Sequence, residues 1–294
     1  MELLIALFFG VVQGATEFLP ISGGAHLAMI QNFNQTIFGE ALFSPTLTFD
    51  ILLRLGTLLA IIFVFFTDIK MLWKEFLCVV SEIWKRQFSF QTDRPYRKLF
   101  YMLFVTTLFL IPAGILSEYT GTYLNTLPVI ACTMMVTGVV NFFIDKIDKF
   151  PKKLLFSGLH AQEDSEKSSG SYLKKAITVG VFQFVSVIPG LSRCAMNILG
   201  GLYAGFRRDV TVKYTFLSAI PVLAAKILLQ GVTILQDGIR MNWMPYLLGM
   251  LAAFFSGVVS IGIIRTAVRK GYCKRFGIYC LIVGIVILVI QMRG

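Results

Sequence analysis

Charged side chains are scarce in this sequence. They make up 15% of 294 residues, where a soluble domain carries about 25%. That shortage argues against a water-soluble globular protein. Paired cysteines are missing as well. The five cysteines, Cys78, Cys132, Cys194, Cys273 and Cys280, lie in or beside apolar segments and form no C-x-x-C pair. A disulfide framework and a zinc site are therefore not expected. The N-terminus lacks a basic n-region and an A-x-A site, so a cleaved signal peptide is not expected either. Histidine is limited to two residues, of which His160 falls in a loop and His26 does not.

What fills the chain is apolar: 56% of the residues are hydrophobic and mean hydropathy is +0.75. Several runs approach the roughly 20 residues that cross a bilayer. The expectation is an all-α polytopic membrane protein. Its net charge of +11 does not call for nucleic acid, because Lys and Arg gather in the cytoplasmic loops of membrane proteins.

Spanning segments are expected over 49–66, 99–116, 127–144, 214–230, 246–264 and 276–290. Two further apolar stretches, 3–31 and 176–205, are interrupted at "EFLPISGG" and "IPGLSR". Each reads as a short helix, a Pro/Gly break and a second short helix, the pattern of a re-entrant hairpin. Broken backbone at membrane depth survives only when buried in protein or lining a wet cavity. Basic residues crowd the loops 67–98, 145–175 and 265–275 and are sparse in 117–126 and 232–243. The positive-inside rule places the first three in the cytoplasm and the last two outside. The hairpin at 3–31 then enters and returns outside, and the hairpin at 176–205 does so from the cytoplasm. The polar stretch "AQEDSEKSSGS" at 161–171 reads as a flexible cytoplasmic loop.

The expected organisation is thus one membrane domain, 1–294, with six transmembrane helices plus two re-entrant hairpins in an inverted-topology repeat. Residues 1–144 form repeat one, 176–292 repeat two, and 145–175 the connecting cytoplasmic loop. "GVVQGATEFLPIS" from Gly10 aligns weakly with "GVFQFVSVIPGLS" from Gly180. Such repeats place a site near the midplane, where the two halves meet.

The first break brings Gln13, Glu17, Ser22 and His26, with Gln13 and Glu17 on one helical face and Gly23 and Gly24 at the turn. The second brings Gln183, Ser186, Ser192, Arg193 and Asn197, with Gly190 as a further phosphate-binding candidate. "PGLSR" opens a helix, whose N–H groups and dipole favour an anion, and Arg193 adds a planar fork suited to phosphate. A carboxylate and a histidine set against an arginine suit phosphoryl transfer. Glu17 would act as base or metal ligand, His26 as acid/base, and Arg193 as phosphate holder. A site inside a bilayer suggests a lipid phosphate or diphosphate. Against each role stands a plainer one: Glu17 as a snorkelling or capping residue, His26 as an interior histidine, Arg193 as a cytoplasmic anchor. Asp50 and Arg54, i and i+4 within a span, favour a mutual ion pair. Lys226 is expected to snorkel outward.

These residues resemble a known family. "QGATEFLPISGGAH" is similar to the [E/Q]-G-x-T-E-F-L-P-[V/I]-S-S-x-G-H signature of the undecaprenyl-diphosphate phosphatase, or bacitracin-resistance, family. "PGLSRCAMN" is similar to its P-G-x-S-R-S-x-x-T signature, and the resemblance extends over nearly the whole chain through "FDILLRLGTLLA", "FLSAIPVLAA" and "GIYCLIVGI". It implies a bacterial inner-membrane enzyme with an interdigitated inverted-repeat fold and a site open to the outer face. The implied reaction removes the terminal phosphate of undecaprenyl diphosphate, with Mg²⁺ or Ca²⁺ as cofactor. The implied partners are the polyprenyl diphosphate and the membrane, not nucleic acid, with a homodimer left open. Carried over by position, Gln13 and Glu17 match the amide/acid pair and metal ligands, Ser22 the first serine, His26 the histidine, and Ser192 and Arg193 the second motif.

Several positions depart from the pattern. Gly23 stands where a serine is usual, Ala25 where a glycine is, Cys194 where a serine is, and Asn197 where a threonine is. Arg54 replaces a common histidine or glutamine, which offers an extra cation for phosphate. The missing hydroxyl at Gly23 leaves three explanations open: water attacks, Ser22 takes over, or the chain is a divergent paralogue with weak hydrolysis. The leading expectation is a polyprenyl-diphosphate phosphatase. The runner-up is a lipid-phosphate transporter or flippase, which would keep the anion site and have less use for an acid/base pair.

Overall fold

The computed structural model describes residues 2–38, 47–87, 89, 93–147, 169–237 and 243–293. Among them the chain is helical, with no strand. The helices in order are α1 (Glu2–Phe18), α2 (Gly23–Phe38), α3 (Leu47–Val64), α4 (Phe66–Trp84), α5 (Pro95–Leu108), α6 (Leu110–Tyr123), α7 (Leu127–Lys146), α8 (Ser169–Val185), α9 (Arg193–Tyr203), α10 (Arg208–Asp237), α11 (Trp243–Lys270) and α12 (Lys274–Arg293). Among the described residues, six stretches are long and apolar enough to cross a membrane: Leu47–Val64, Pro95–Gly114, Leu127–Lys146, Arg208–Val232, Trp243–Lys270 and Lys274–Met292. Each of the six expected spans overlaps one of these stretches. Those expected over 214–230 and 246–264 run a turn or more past their apolar cores, because the helical hydrogen-bond ladder does not stop where apolarity does. Arg208 and Lys213 belong to the first turns of α10.

Two expectations need correction. The span expected over 99–116 is two helices, α5 and α6, meeting at Phe109. Pro112 lacks an N–H, and its ring clashes with the carbonyl four residues back, at Leu108. The loop expected over 67–98 is largely helix α4. Its inner face is tied down by charge: Arg97 pairs with Glu75 at 2.9 Å and Glu82 at 2.8 Å, and Lys213 reaches Asp68 at 2.8 Å. Its outer face exposes Trp73, Leu77, Val80 and Trp84. The stretch 161–171 lies outside the described residues except for its last three.

Where breaks were read, helices are interrupted. Residues 19–22 separate α1 from α2, and residues 186–192 separate α8 from α9. The helices around them pack across the two halves of the chain, α1 on α11, α8 on α5 and α7 on α12. The α1–α11 contact is backbone to backbone: a Cβ at Gly10 would collide with the Gly249 carbonyl, and one at Gly14 with that of Ala253. A fully buried core of Phe18, Ile61, Tyr214, Phe216, Leu223 and Ile261 closes around both breaks, with Phe18 and Phe216 edge to face at 5.5 Å.

Candidate active site

The two breaks meet at one cavity of about 190 Å³. From the first come Gln13, Thr16, Glu17, Ser22, Gly23 and Gly24; from the second, Ser186 through Arg193; from the neighbouring spans, Arg54 of α3 and Lys226 of α10.

The first wall follows from α1. Gln13 and Glu17 lie one turn apart, and the buried Gln13 donates from Nε2 to Glu17 Oε2 at 3.2 Å. Past Phe18 the chain turns sharply, with the Ile21 N–H on the Leu19 carbonyl at 2.8 Å. Ser22 takes φ 68°, the left-handed region that a residue with a Cβ seldom occupies. Asn141 of α7 holds the tip by donating to the Pro20 carbonyl at 2.7 Å.

The second wall depends on Gly190, at φ +88°. A Cβ there would run into the Thr133 hydroxyl and come within 2.8 Å of the Ile130 carbonyl. Two threonines of α7 grip this turn. Thr133 donates to the Pro189 carbonyl at 2.6 Å. Thr137 donates to the Gly190 carbonyl at 3.1 Å and accepts from the Ser192 N–H at 3.0 Å. Ser192 then caps α9, accepting from the Ala195 N–H at 3.3 Å, and Arg193 opens the helix. The positive end of α9 therefore points at the cavity. Arg193 Nη1 lies 3.7 Å from Glu17 Oε1, an ion pair that joins the two breaks.

Nine of the site residues read from the sequence share this cavity: Gln13, Glu17, Ser22, Gly23, Gly24, Arg54, Gly190, Ser192 and Arg193. His26 and Asn197 are not among its lining residues. His26 Nδ1 donates to the Ser22 carbonyl at 2.8 Å, so its Nε2, 2.7 Å from the Tyr279 hydroxyl, accepts from that hydroxyl when the ring is neutral. The two rings stack, 5° from parallel. Asn197 is buried behind the cavity, donating to Gln183 Oε1 at 3.1 Å and Ser218 Oγ at 3.3 Å. Arg54 does pair with Asp50, Nε to Oδ2 at 2.9 Å, and lines the cavity as well.

Lys226 corrects the reading: instead of snorkelling away, it lines the cavity. The α7 ladder of Thr133, Thr137 and Asn141 was missed outright. Its signal is polar residues at i, i+4 and i+8 in an apolar span, one helical face with hydroxyl and amide groups that need partners.

As a divalent-ion site the donor set fits poorly. Glu17 is the one carboxylate among the lining residues, and it is already engaged by Gln13 and Arg193, while Arg54 and Lys226 add two more cations. Hard divalent ions favour several oxygen ligands with carboxylates among them. Among the described residues no three His, Cys, Asp or Glu side chains cluster closely enough to hold a metal.

The family profile described as "Bacitracin resistance protein BacA" matches residues 6–286. A protein named undecaprenyl-diphosphatase from Alkaliphilus metalliredigens is 30% identical over 293 residues, covering 98% of each chain. One of the same name from Methanobrevibacter smithii is 30% identical over 293 residues, covering 98% of this chain and 97% of its own. Another, from Idiomarina loihiensis, is 32% identical over 270 residues, covering 89% and 88%. The match runs through both breaks and the helices that carry them, and this chain belongs to the bacitracin resistance protein BacA family.

Proposed function

We propose that the protein hydrolyses undecaprenyl diphosphate to undecaprenyl phosphate and inorganic phosphate, returning the lipid carrier to cell-wall synthesis. The observation that carries this reading is the meeting of Glu17 with Arg193 and the N-terminus of α9 in one cavity. Phosphoryl transfer depends mainly on positioning and charge stabilisation. The Arg193 fork and the N–H groups of α9 would hold the terminal phosphoryl group. Water attacks its phosphorus and passes a proton to Glu17. A new P–O bond forms as the bridging P–O bond breaks, and undecaprenyl phosphate departs with the bridging oxygen. Ser22 orients the attacked group through its hydroxyl, and Gly23 leaves room beside it. No step here needs His26 to leave Tyr279.

The membrane arrangement is part of the proposal. We infer two re-entrant hairpins in two inverted repeats, with the site facing the outer side of a bacterial inner membrane. The basic loops support that orientation, and the packing supports the repeat: α1 rests on α11 while α8 rests on α5, counterpart helices exchanged between halves. The names of the relatives favour hydrolysis over transport.

The test is phosphate release from undecaprenyl diphosphate by purified protein in Mg²⁺ or Ca²⁺. Turnover should exceed that of Glu17→Ala by at least about a hundredfold, the scale of removing one transition-state contact. Equal rates would overturn the reading. Arg193→Ala should lose a comparable factor.

A further inference from the structure

The cavity carries more positive charge than a phosphoryl-transfer site needs when a bound metal neutralises the substrate. Arg193, Arg54 and Lys226 line it against the single carboxylate of Glu17. They come from three elements: Arg193 from α9, Arg54 from α3 and Lys226 from α10. Arg54 is braced. Its Nε engages Asp50 at 2.9 Å, and Asp50 is held in turn by Gln230 Nε2 at 3.4 Å, one turn beyond Lys226 on α10. Asp50 does not line the cavity, so it anchors the guanidinium without adding a carboxylate to the wall.

A diphosphate ester carries two phosphoryl groups and roughly three negative charges near neutral pH, since a terminal phosphate titrates near pH 6. The α9 terminus with Arg193 suits one phosphoryl group. Arg54 and Lys226 supply a second cationic locus on the same cavity, of the size and sign for the other. A free divalent ion meets the opposite situation, repelled by three cations and offered one engaged carboxylate.

Resting on the phosphatase reading, we propose that Lys226 and Arg54, with Arg193, form a cradle that binds the diphosphate without a divalent ion, and that Lys226 is a substrate-binding residue of this site. Arg193 fixes one phosphoryl group, while Lys226 and Arg54 hold the other and take the neutralising role a metal would otherwise fill in binding.

The test is equilibrium binding of a farnesyl diphosphonate, in which a methylene replaces the bridging oxygen so that it cannot be hydrolysed. Detergent-purified protein is titrated in EDTA and in Mg²⁺. Wild type should bind in EDTA within a few-fold of its affinity in Mg²⁺. Lys226→Gln should weaken the EDTA affinity about tenfold or more, as loss of a charge-assisted contact does, and Lys226→Arg should restore most of it. Farnesyl monophosphate, with one phosphoryl group, should lose much less in Lys226→Gln. Because Lys226 is exposed at the cavity wall, its replacement leaves the packed core intact. Wild-type binding that appears only with Mg²⁺, or equal EDTA affinities for wild type and Lys226→Gln, would overturn the cradle. Phosphate release in Mg²⁺ without binding in EDTA would sink the cradle and keep the phosphatase. Binding in EDTA without turnover in any metal would do the reverse.

Discussion

At the scale of single residues, the turn Ser22–Gly23–Gly24 shows what spacing alone hides. Ser22 is buried with φ 68°, a conformation that costs about 1–3 kcal/mol and persists where function or packing demands it. Glycine adopts it freely. Ser22→Gly should therefore raise the melting temperature of the purified protein while lowering turnover, and a parallel fall of both would show that the hydroxyl is structural. A side chain at Gly23 has little room: its Cβ would lie 3.0 Å from the Thr16 carbonyl oxygen. At Gly24 nothing lies within 4 Å. Restoring a serine by Gly23→Ser should cost about 1 kcal/mol, the low end for overpacking, and bring little gain in rate. Gly24→Ser should be neutral in thermal denaturation. The sequence showed that a hydroxyl was missing at Gly23; only the approach of the Thr16 backbone shows why one does not fit simply. The Glu17–Arg193 pairing was legible because both lie in breaks that carry polar groups. The inclusion of Lys226 was not, because nothing in the spacing of α10 tells which face meets the cavity.

At the scale of elements, α7 is the brace for both breaks. Thr133, Thr137 and Asn141 reach Pro189, Gly190, Ser192 and Pro20, so one face of one helix sets the distance between the walls. Thr137→Val keeps the shape and removes the hydroxyl that satisfies the buried Ser192 N–H. It should cost about 1–3 kcal/mol, the penalty for an orphaned buried donor, and raise KM as the turn before Arg193 loosens. An unchanged KM with normal stability would show that the turn holds itself. Helix existence was plain from apolar runs, whereas the division of 99–116 needed the clash of Pro112 with the preceding turn. Helix α4 hid among basic residues because its apolar positions recur on one face rather than in a run, and its acidic side chains pair with partners distant in sequence, such as Arg97 and Lys213.

At the scale of the molecule, the proposed orientation has a direct check: a cysteine introduced at Gly121 should react with an impermeant external reagent, and one at Ser168 should not. The reversed pattern would invert the membrane arrangement. Six spans and two interruptions could be read in the sequence, since chain length against bilayer thickness is a strong constraint. Which helices touch could not, because lipid-facing and partner-facing apolar surfaces look alike in composition. The small residues at those contacts have a further consequence. Helix α1 is clasped to α11 at Gly10 and Gly14, and α7 to α12 where a Cβ at Gly138 would lie 2.9 Å from the Gly277 carbonyl oxygen. Each clasp joins the front half of the chain to the back half. A carrier presenting its cargo first to one side and then to the other would have to slide those halves apart and prise open both seams on every cycle. A hydrolase asks for no such sliding: the scaffold can stay locked while only the headgroup arrives and leaves.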